Sequence, residues 1–183
     1  MSSLSPSNLI DSQGQFANQN ATVQFLKFQL YPRTKAMLPI DHITEVLKVQ
    51  LGQIVPIPQM PPWVMGVYNW RGDILWMVDL GHLIGLDSWY QHRSNLLHQT
   101  AIVLSPDRQQ QKERATSVHL GLVVGKVDDL ESCDPSTIQA ALNLQFGTGV
   151  VDFMAGYWLK PEGEMILALD SSKIAAAMPI DLN

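Results

Sequence analysis

The sequence predicts a mainly β protein built as two similar small β-barrels, each closed off by a short helix. Three observations carry that expectation. Short runs alternate between apolar and polar residues, the period of a half-buried strand. Four of the runs are paired around two tight turns, at Asn69-Trp70-Arg71-Gly72 and at Pro161-Glu162-Gly163. The two halves also echo each other in spacing. Leu38, Ile43, Glu45 and Val46 match Leu122, Val127, Asp129 and Leu130 at identical offsets. Gly66, hairpin, Asp79, helix matches Gly156, hairpin, Asp170, helix, one residue longer. Few of these positions are identical, so the pattern alone leaves duplication and coincidence both open.

The elements follow in order. Residues 1–21 are rich in Ser, Asn and Gln and poor in large apolar groups. They bury too little surface to offset the entropy of ordering, so a flexible tail is expected. From 22 to 31, Val23, Phe25, Phe28 and Leu30 interleave with Gln24, Lys27 and Gln29. The alternation slips at Leu26, which marks a bulge in a strand. Residues 36–40 are extended again, and Pro39 argues against a central strand there. Residues 43–49 fit a helical face through Ile43, Val46, Leu47 and Gln50. Their β-branched content favours a strand.

Gly52, Pro56, Pro58, Pro61 and Pro62 exclude a helix from 51–62. An extended loop is expected, ending in a single turn at 62–65. The hairpin around Asn69–Gly72 comes next. Asp79 then stands at the N-cap of a short helix over 80–84, with Gly85 as its stop. Residues 99–104 begin another strand, and the polar run 105–114 is a solvent loop. A strand resumes over 118–124. Asp134-Pro135-Ser136 starts a turn, and 138–142 add one helical turn. The hairpin 155–169 and a helix capped by Ser171-Ser172 and stopping before Pro179 complete the chain.

With 183 residues, 46% of them hydrophobic, the chain suits one domain or two lobes sharing a core. A net charge of −5 argues against general nucleic-acid binding. No apolar run approaches the roughly 20 residues that span a bilayer, so direct membrane insertion is not expected. The single cysteine, Cys133, excludes an intrachain disulfide framework and a Cys-based zinc site. A cytoplasmic protein fits these features.

For catalysis the sequence offers little. The nucleophile elbow, the HExxH zinc motif and the phosphate-cradling loop are all absent. Asp79 and His82 could form an acid–base or metal pair, in a small ligand-binding or catalytic barrel with a tryptophan-lined pocket. The plainer reading makes Asp79 a helix cap with His82 in the first turn. His42, His92, His98 and His119 lack ligand spacing. Asp128, Asp129 and Glu131 could cluster around a metal, although adjacent residues on a strand face opposite ways. No catalytic residue, cofactor or metal ligand is assigned. Trp63, Trp70, Trp76, Trp89 and Trp158 are core candidates, except that Trp70 adjoins an exposed turn, as interface anchors do.

The hairpin tip is more informative. Positive φ at such a turn explains Gly72. It does not explain Arg71, whose planar fork suits a carboxylate. Glu45 is the one acid between Asp41 and Asp73 and lies on the preceding strand. The pattern leaves two readings open: a Glu45–Arg71 pair that orients the turn, or an arginine that is merely exposed.

At these residues the chain resembles the CheW family of bacterial chemotaxis adaptors. The resemblance runs through Leu38, Ile40, Ile43 and Glu45-Val46, then Ile57-Pro58-Gln59-Met60-Pro61, then Gly66-Val67-Tyr68-Asn69-Trp70-Arg71-Gly72, then 74–79 and Leu80. It covers about 22–178, more loosely in the second half. It implies two SH3-like five-stranded barrels sharing a core, the first about 22–98 and the second about 99–178, followed by a tail at 179–183. It implies a non-enzymatic adaptor that couples a methyl-accepting chemoreceptor-like coiled-coil tip to the regulatory domain of a CheA-type histidine kinase. It places the receptor contact at Ile43, Gly66, Arg71 and Gly72, with Glu45 paired to the arginine, and Trp70 joins them as a candidate. Two departures stand out. Trp70 replaces the usual Leu, and the usual Pro within 74–77 is missing. Flagellar swimming, type IV pilus motility and phototaxis all stay open as the process served.

Overall fold

A computed structural model describes residues 22–88, 97–104, 118–140 and 148–179. The expected tail at 1–21, the polar loop 105–114, Trp89, His92 and residues 180–183 lie outside the described residues.

Ten strands form two five-stranded sheets. The strands are β1 (Val23–Leu30), β2 (Thr34–Pro39), β3 (Ile43–Gln50), β4 (Val64–Trp70), β5 (Asp73–Asp79), β6 (His98–Leu104), β7 (His119–Val124), β8 (Lys126–Cys133), β9 (Met154–Leu159) and β10 (Met165–Leu169). One sheet runs β8-β1-β2-β10-β9 and the other β3-β6-β7-β5-β4. Adding five to each strand number, or subtracting five, turns the first order into the second. The internal echo is therefore a structural repeat. Even the irregular contacts are duplicated, since Val55 bridges to Val67 and Gln139 to Tyr157.

The repeat does not divide into barrels as expected. The expected boundary at 98/99 falls within β6, which starts at His98, and each repeat sends its first two strands into one sheet and its last three into the other. β1 and β2 join β8, β9 and β10, whereas β3 to β5 join β6 and β7. The cause lies at the crossings. After Pro39 the chain makes a single 3-10 turn at Ile40–His42 and re-enters as β3 in the other sheet. At Gly125, whose N–H bonds Gln29 O, β7 passes directly into β8.

Burial follows this weave. The main core takes Phe28, Leu30 and Leu38 from β1 and β2, Leu167 and Leu169 from β10, Val78 from β5, and Ile102 and Leu122 from β6 and β7. It is the core that the two sheets share. Each sheet also encloses a smaller cluster. Val49, Leu75, Met77, Ala101, Val103 and Val123 fill one, and Phe25, Met37, Cys133, Ile166 and Ala168 the other.

Most local expectations hold. Residues 43–50 are strand, and the register of β1 on β8 shifts between Leu26 and Phe28, where the alternation slips. Residues 36–40 differ from expectation. β2 is a central strand, with β1 antiparallel on one side and β10 parallel on the other. Pro39 is its last residue, opposite Phe25 of β1 and beyond the two positions where β10 pairs, so its missing N–H lies at the end of the ladder. Asp79 caps α1 (Leu80–Leu83) as expected, whereas α3 (Ser171–Ala176) is capped not by Ser171-Ser172 but by Asp170, through the N–H groups of Ser172 and Lys173. A further helix, α2 (Thr148–Asp152), precedes β9. Residues 138–140 carry no helical turn. A 3-10 turn at Pro135–Thr137 leads straight to the Gln139 bridge. Among the described residues no helix is long and apolar enough to cross a membrane.

Candidate functional site

The site is built where one sheet closes on itself. β3 and β4 are its two edges, far apart in strand order. The chain leaving β3 turns at Leu51–Gln53 and brings Val55 alongside β4. Val55 and Val67 exchange both backbone hydrogen bonds, at 2.8 and 2.9 Å. Gly66 makes this approach feasible. A Cβ there would lie 2.1 Å from Val55 O, and its φ is +136°. Gly66 is buried and offers no side chain to a partner. Its contribution is to let the edges meet, which carries the β4–β5 tip to β3.

At that tip β4 and β5 are joined by two residues between the Trp70–Asp73 pair. Arg71 has φ +55° and Gly72 +93°, the primed turn that matches the twist of a hairpin. The Asn69 Oδ1 accepts from Gly72 N at 3.1 Å. The turn thus requires positive φ twice, whereas the sequence reading asked it only of Gly72. An arginine in that region costs roughly 1–2 kcal/mol of backbone strain relative to glycine. Its side chain must offset this cost.

Two contacts hold that side chain, and a third, between Trp70 and Glu45, braces them. Arg71 Nη2 donates to Glu45 Oε2 at 2.7 Å. Trp70 Nε1 donates to the other carboxylate oxygen, Glu45 Oε1. The guanidinium carbon lies 5.4 Å from the Trp70 ring centroid, within cation–π range. Glu45 projects from β3, opposite Val103 of β6, and its side chain is 23% exposed. The Arg71 side chain is 69% exposed, so most of its donors face solvent. Of the two readings open in the sequence, the paired one is realised. Behind Trp70 stands His119 of β7, its ring 5.2 Å away and inclined at 61°. The His119 Nδ1 is buried without a hydrogen-bond partner.

Four of the six expected residues, Glu45, Trp70, Arg71 and Gly72, thus come together. Ile43 lies apart from them. It begins β3 opposite Leu104 and packs against the shared core, with a register shift separating it from Glu45. Sequence reasoning missed His119, because the parallel pairing of β5 with β7, which sets Leu75 beside it, has no local signature.

The alternative centre at Asp79 and His82 is structural. Asp79 is 1% exposed. One carboxylate oxygen accepts from the His82 backbone N–H at 3.1 Å, and the other accepts from Ser88 Oγ at 2.9 Å. The four described tryptophans are spread over three clusters, although the Trp63 carbonyl accepts from Asp79 N. Trp63 and Trp76 lie against the shared core, Trp70 against the β3–β7 cluster and Trp158 against the β8–β10 cluster.

The second sheet carries a different closure. The groups at its mouth are Lys27, Lys35, Lys160, Glu131 and Glu164. Glu131 Oε1 accepts from both Lys27 and Lys160 at 2.6 Å, and Lys35 pairs with Glu164. Those bonds hold both carboxyls below the usual range, Glu131 chiefly through Lys160 and Glu164 chiefly through Lys35. The Glu131 bond in turn raises Lys160. Asp128 borders this network and bonds Gln29 and Lys126 instead. Burial pushes the Asp128 carboxyl up, but bonds from Gln29 and Lys126 outweigh it and the net shift is down. Asp129 is exposed. Among the described residues no group of three or more His, Cys, Asp or Glu is placed to hold a metal ion.

Comparison with known proteins agrees with this architecture. No curated protein sequence matches the chain. Among solved structures, the crystal structure of the scaffolding protein TtCheW from Thermoanaerobacter tengcongensis superposes with a TM-score of 0.63 at 21% identity, covering 82% of this chain and 90% of that one. This likeness establishes the fold of two SH3-like β-barrels. A family model, the CheW-like domain, matches residues 24–178. The chain belongs to the CheW-like domain family.

Proposed function

We propose that this protein is a non-enzymatic adaptor of chemotaxis-type signalling that couples a coiled-coil chemoreceptor tip to the regulatory domain of a CheA-type histidine kinase in the cytoplasm. The observation that carries the reading is Arg71. It occupies a backbone position that disfavours it, is anchored by Glu45, and still presents most of its donors to solvent. A strained residue with a held but exposed cation suits recognition. Ile74, paired across the hairpin with Asn69, is 64% exposed, and Val46 on β3 is 44% exposed. An exposed cation on a barrel that also bares apolar side chains on the outer face of its strands suits the amphipathic helix of a receptor hairpin. Signal transfer is then a change in how the adaptor holds kinase against receptor.

The test is Arg71→Glu, which sets a second carboxylate beside Glu45. The fold should survive, because the tip is exposed. Co-sedimentation with receptor-bearing membranes and kinase should drop by well over tenfold, the scale of an interface hot spot. Unchanged co-sedimentation would refute the role of Arg71.

A further inference from the structure

We propose that Trp70 is a positioning residue that decides how many donors Arg71 offers to its partner. The inference rests on the adaptor reading above and deepens it. A carboxylate has two oxygens, and an arginine fork ordinarily takes both. Here the two oxygens of Glu45 are divided. Trp70 Nε1 occupies Oε1, and Arg71 holds Oε2 through Nη2 alone. The indole thereby blocks the closed fork-to-fork pair. Of the five N–H donors of a guanidinium, one is engaged by Glu45 and the rest remain for a partner. The same indole lies under the guanidinium carbon at 5.4 Å, which limits where the free edge points. His119 fixes the indole from behind by its edge contact. The hairpin register does the rest, since the Trp70–Asp73 pair sets Trp70 immediately before the turn.

The partner chemistry follows from what is left free. An exposed, planar, multiply donating cation reads a carboxylate, so the group recognised is an Asp or Glu side chain on the docking helix. The structure at the matching place in the other barrel supports a specific role for Trp70. There the hairpin ends in Lys160, which bonds Glu131 directly, and Pro161 follows at the tip. An indole stands beside the cation there too, Trp158 at 5.3 Å from Lys160 Nζ, yet Lys160 bonds its carboxylate at 2.6 Å, so closure of that mouth uses the indole face and not a division of the carboxylate. Trp70 serves the arginine next to it.

The two arms of the test are independent. The first uses the free protein and reads the guanidinium of Arg71 by nitrogen-edited NMR. In Trp70→Phe the ring remains but the N–H donor is lost, so Glu45 Oε1 becomes available and Arg71 closes on both oxygens. Rotation about its Nε–Cζ and Cζ–Nη bonds should become slower. A tryptophan that merely packs predicts the opposite, a faster rotation as contacts loosen. The second arm measures affinity for the purified cytoplasmic hairpin of a chemoreceptor from the same genome. Affinity should fall by about tenfold, the worth of one charge-assisted hydrogen bond, although the internal ion pair has tightened. Trp70→Leu should behave alike in both arms and serves if the Phe variant folds poorly.

Slower rotation with weaker binding supports the proposal. Faster or unchanged rotation overturns it whatever the binding does, and slower rotation with unaltered binding overturns it at the partner step. If the wild type binds neither receptor hairpin nor kinase, the adaptor reading fails, and the rotation arm alone then decides whether Trp70 divides the carboxylate.

Discussion

Replacing Gly66 with alanine tests how the signalling tip is held. The added Cβ would lie 2.1 Å from Val55 O, 2.7 Å from Val55 C and 2.9 Å from Pro56 Cα. All three are backbone atoms, so no side chain can swing aside. The Val55–Val67 bridge must open, losing two backbone hydrogen bonds at about 1 kcal/mol each. The residue must also hold φ +136°, which an L side chain adopts at a cost of about 1–3 kcal/mol. Together these give about 3–5 kcal/mol, a large part of the 5–15 kcal/mol that typically stabilises a domain. In thermal denaturation the midpoint should fall by about 10 °C or more. Gly156→Ala is the internal control. Its Cβ meets Gln139 O at 2.4 Å and the movable Ile138 Cγ2 at 2.7 Å, at a backbone angle that ordinary residues tolerate. It should lose less than Gly66→Ala. A Gly66→Ala protein that melts within about 2 °C of wild type, against the stability scale above, would refute the closure argument. So would a larger loss from Gly156→Ala.

Glu131→Gln leaves Lys27 and Lys160 sharing Glu164 at 3.9 and 3.5 Å, and should cost about 2 kcal/mol in urea unfolding, below the figure for a fully buried pair. Stability should also depend on pH in a fixed direction. Glu131 and Glu164 have depressed folded pKa values, so their contribution is complete above the ordinary carboxylate pKa and is lost as pH falls through the depressed values. Lys160 is raised, so its share is complete below the ordinary lysine pKa and lost as pH rises through the raised one. Urea midpoints followed from pH 3 upward should rise through the acid range, about pH 3 to 5, and Glu131→Gln should flatten that rise. Asp79→Ala removes the acceptor of the His82 N–H and of buried Ser88, and should destabilise by about 2–3 kcal/mol in chemical denaturation, with receptor binding retained under native conditions.

What the sequence showed and what it hid divide along one line. Interactions a few residues apart were legible. Asp79 announced its helix, the last helix was expected one residue from its true cap, the slip at Leu26 announced a register shift, and Asn69–Gly72 announced a hairpin. Long-range pairings were not. Nothing near Thr34 or Pro39 indicates that β2 lies beside β10, which made Pro39 look like an edge signal. Lys27 read as one polar member of an alternation, yet it meets Glu131, which stands 104 residues away. Glu45 and Arg71 fall between these cases. Their pairing was one of two open readings, and sheet closure decides it. Spacing located the repeat, but it could not say that the repeats exchange strands.

That exchange sets a timetable for synthesis. The ribosome makes β1 and β2 first, yet their neighbours β8 and β10 come near the end of the chain. The β3–β7 sheet is complete once Val124 has emerged, while Phe28, Leu30 and Leu38 still lack the strands that flank them. The first-made strands are therefore the last to be sheltered. A nascent chain stalled between β7 and β10 would show an unmatched apolar ribbon at its N-terminal end, the window in which this protein is most exposed to aggregation and to chaperones.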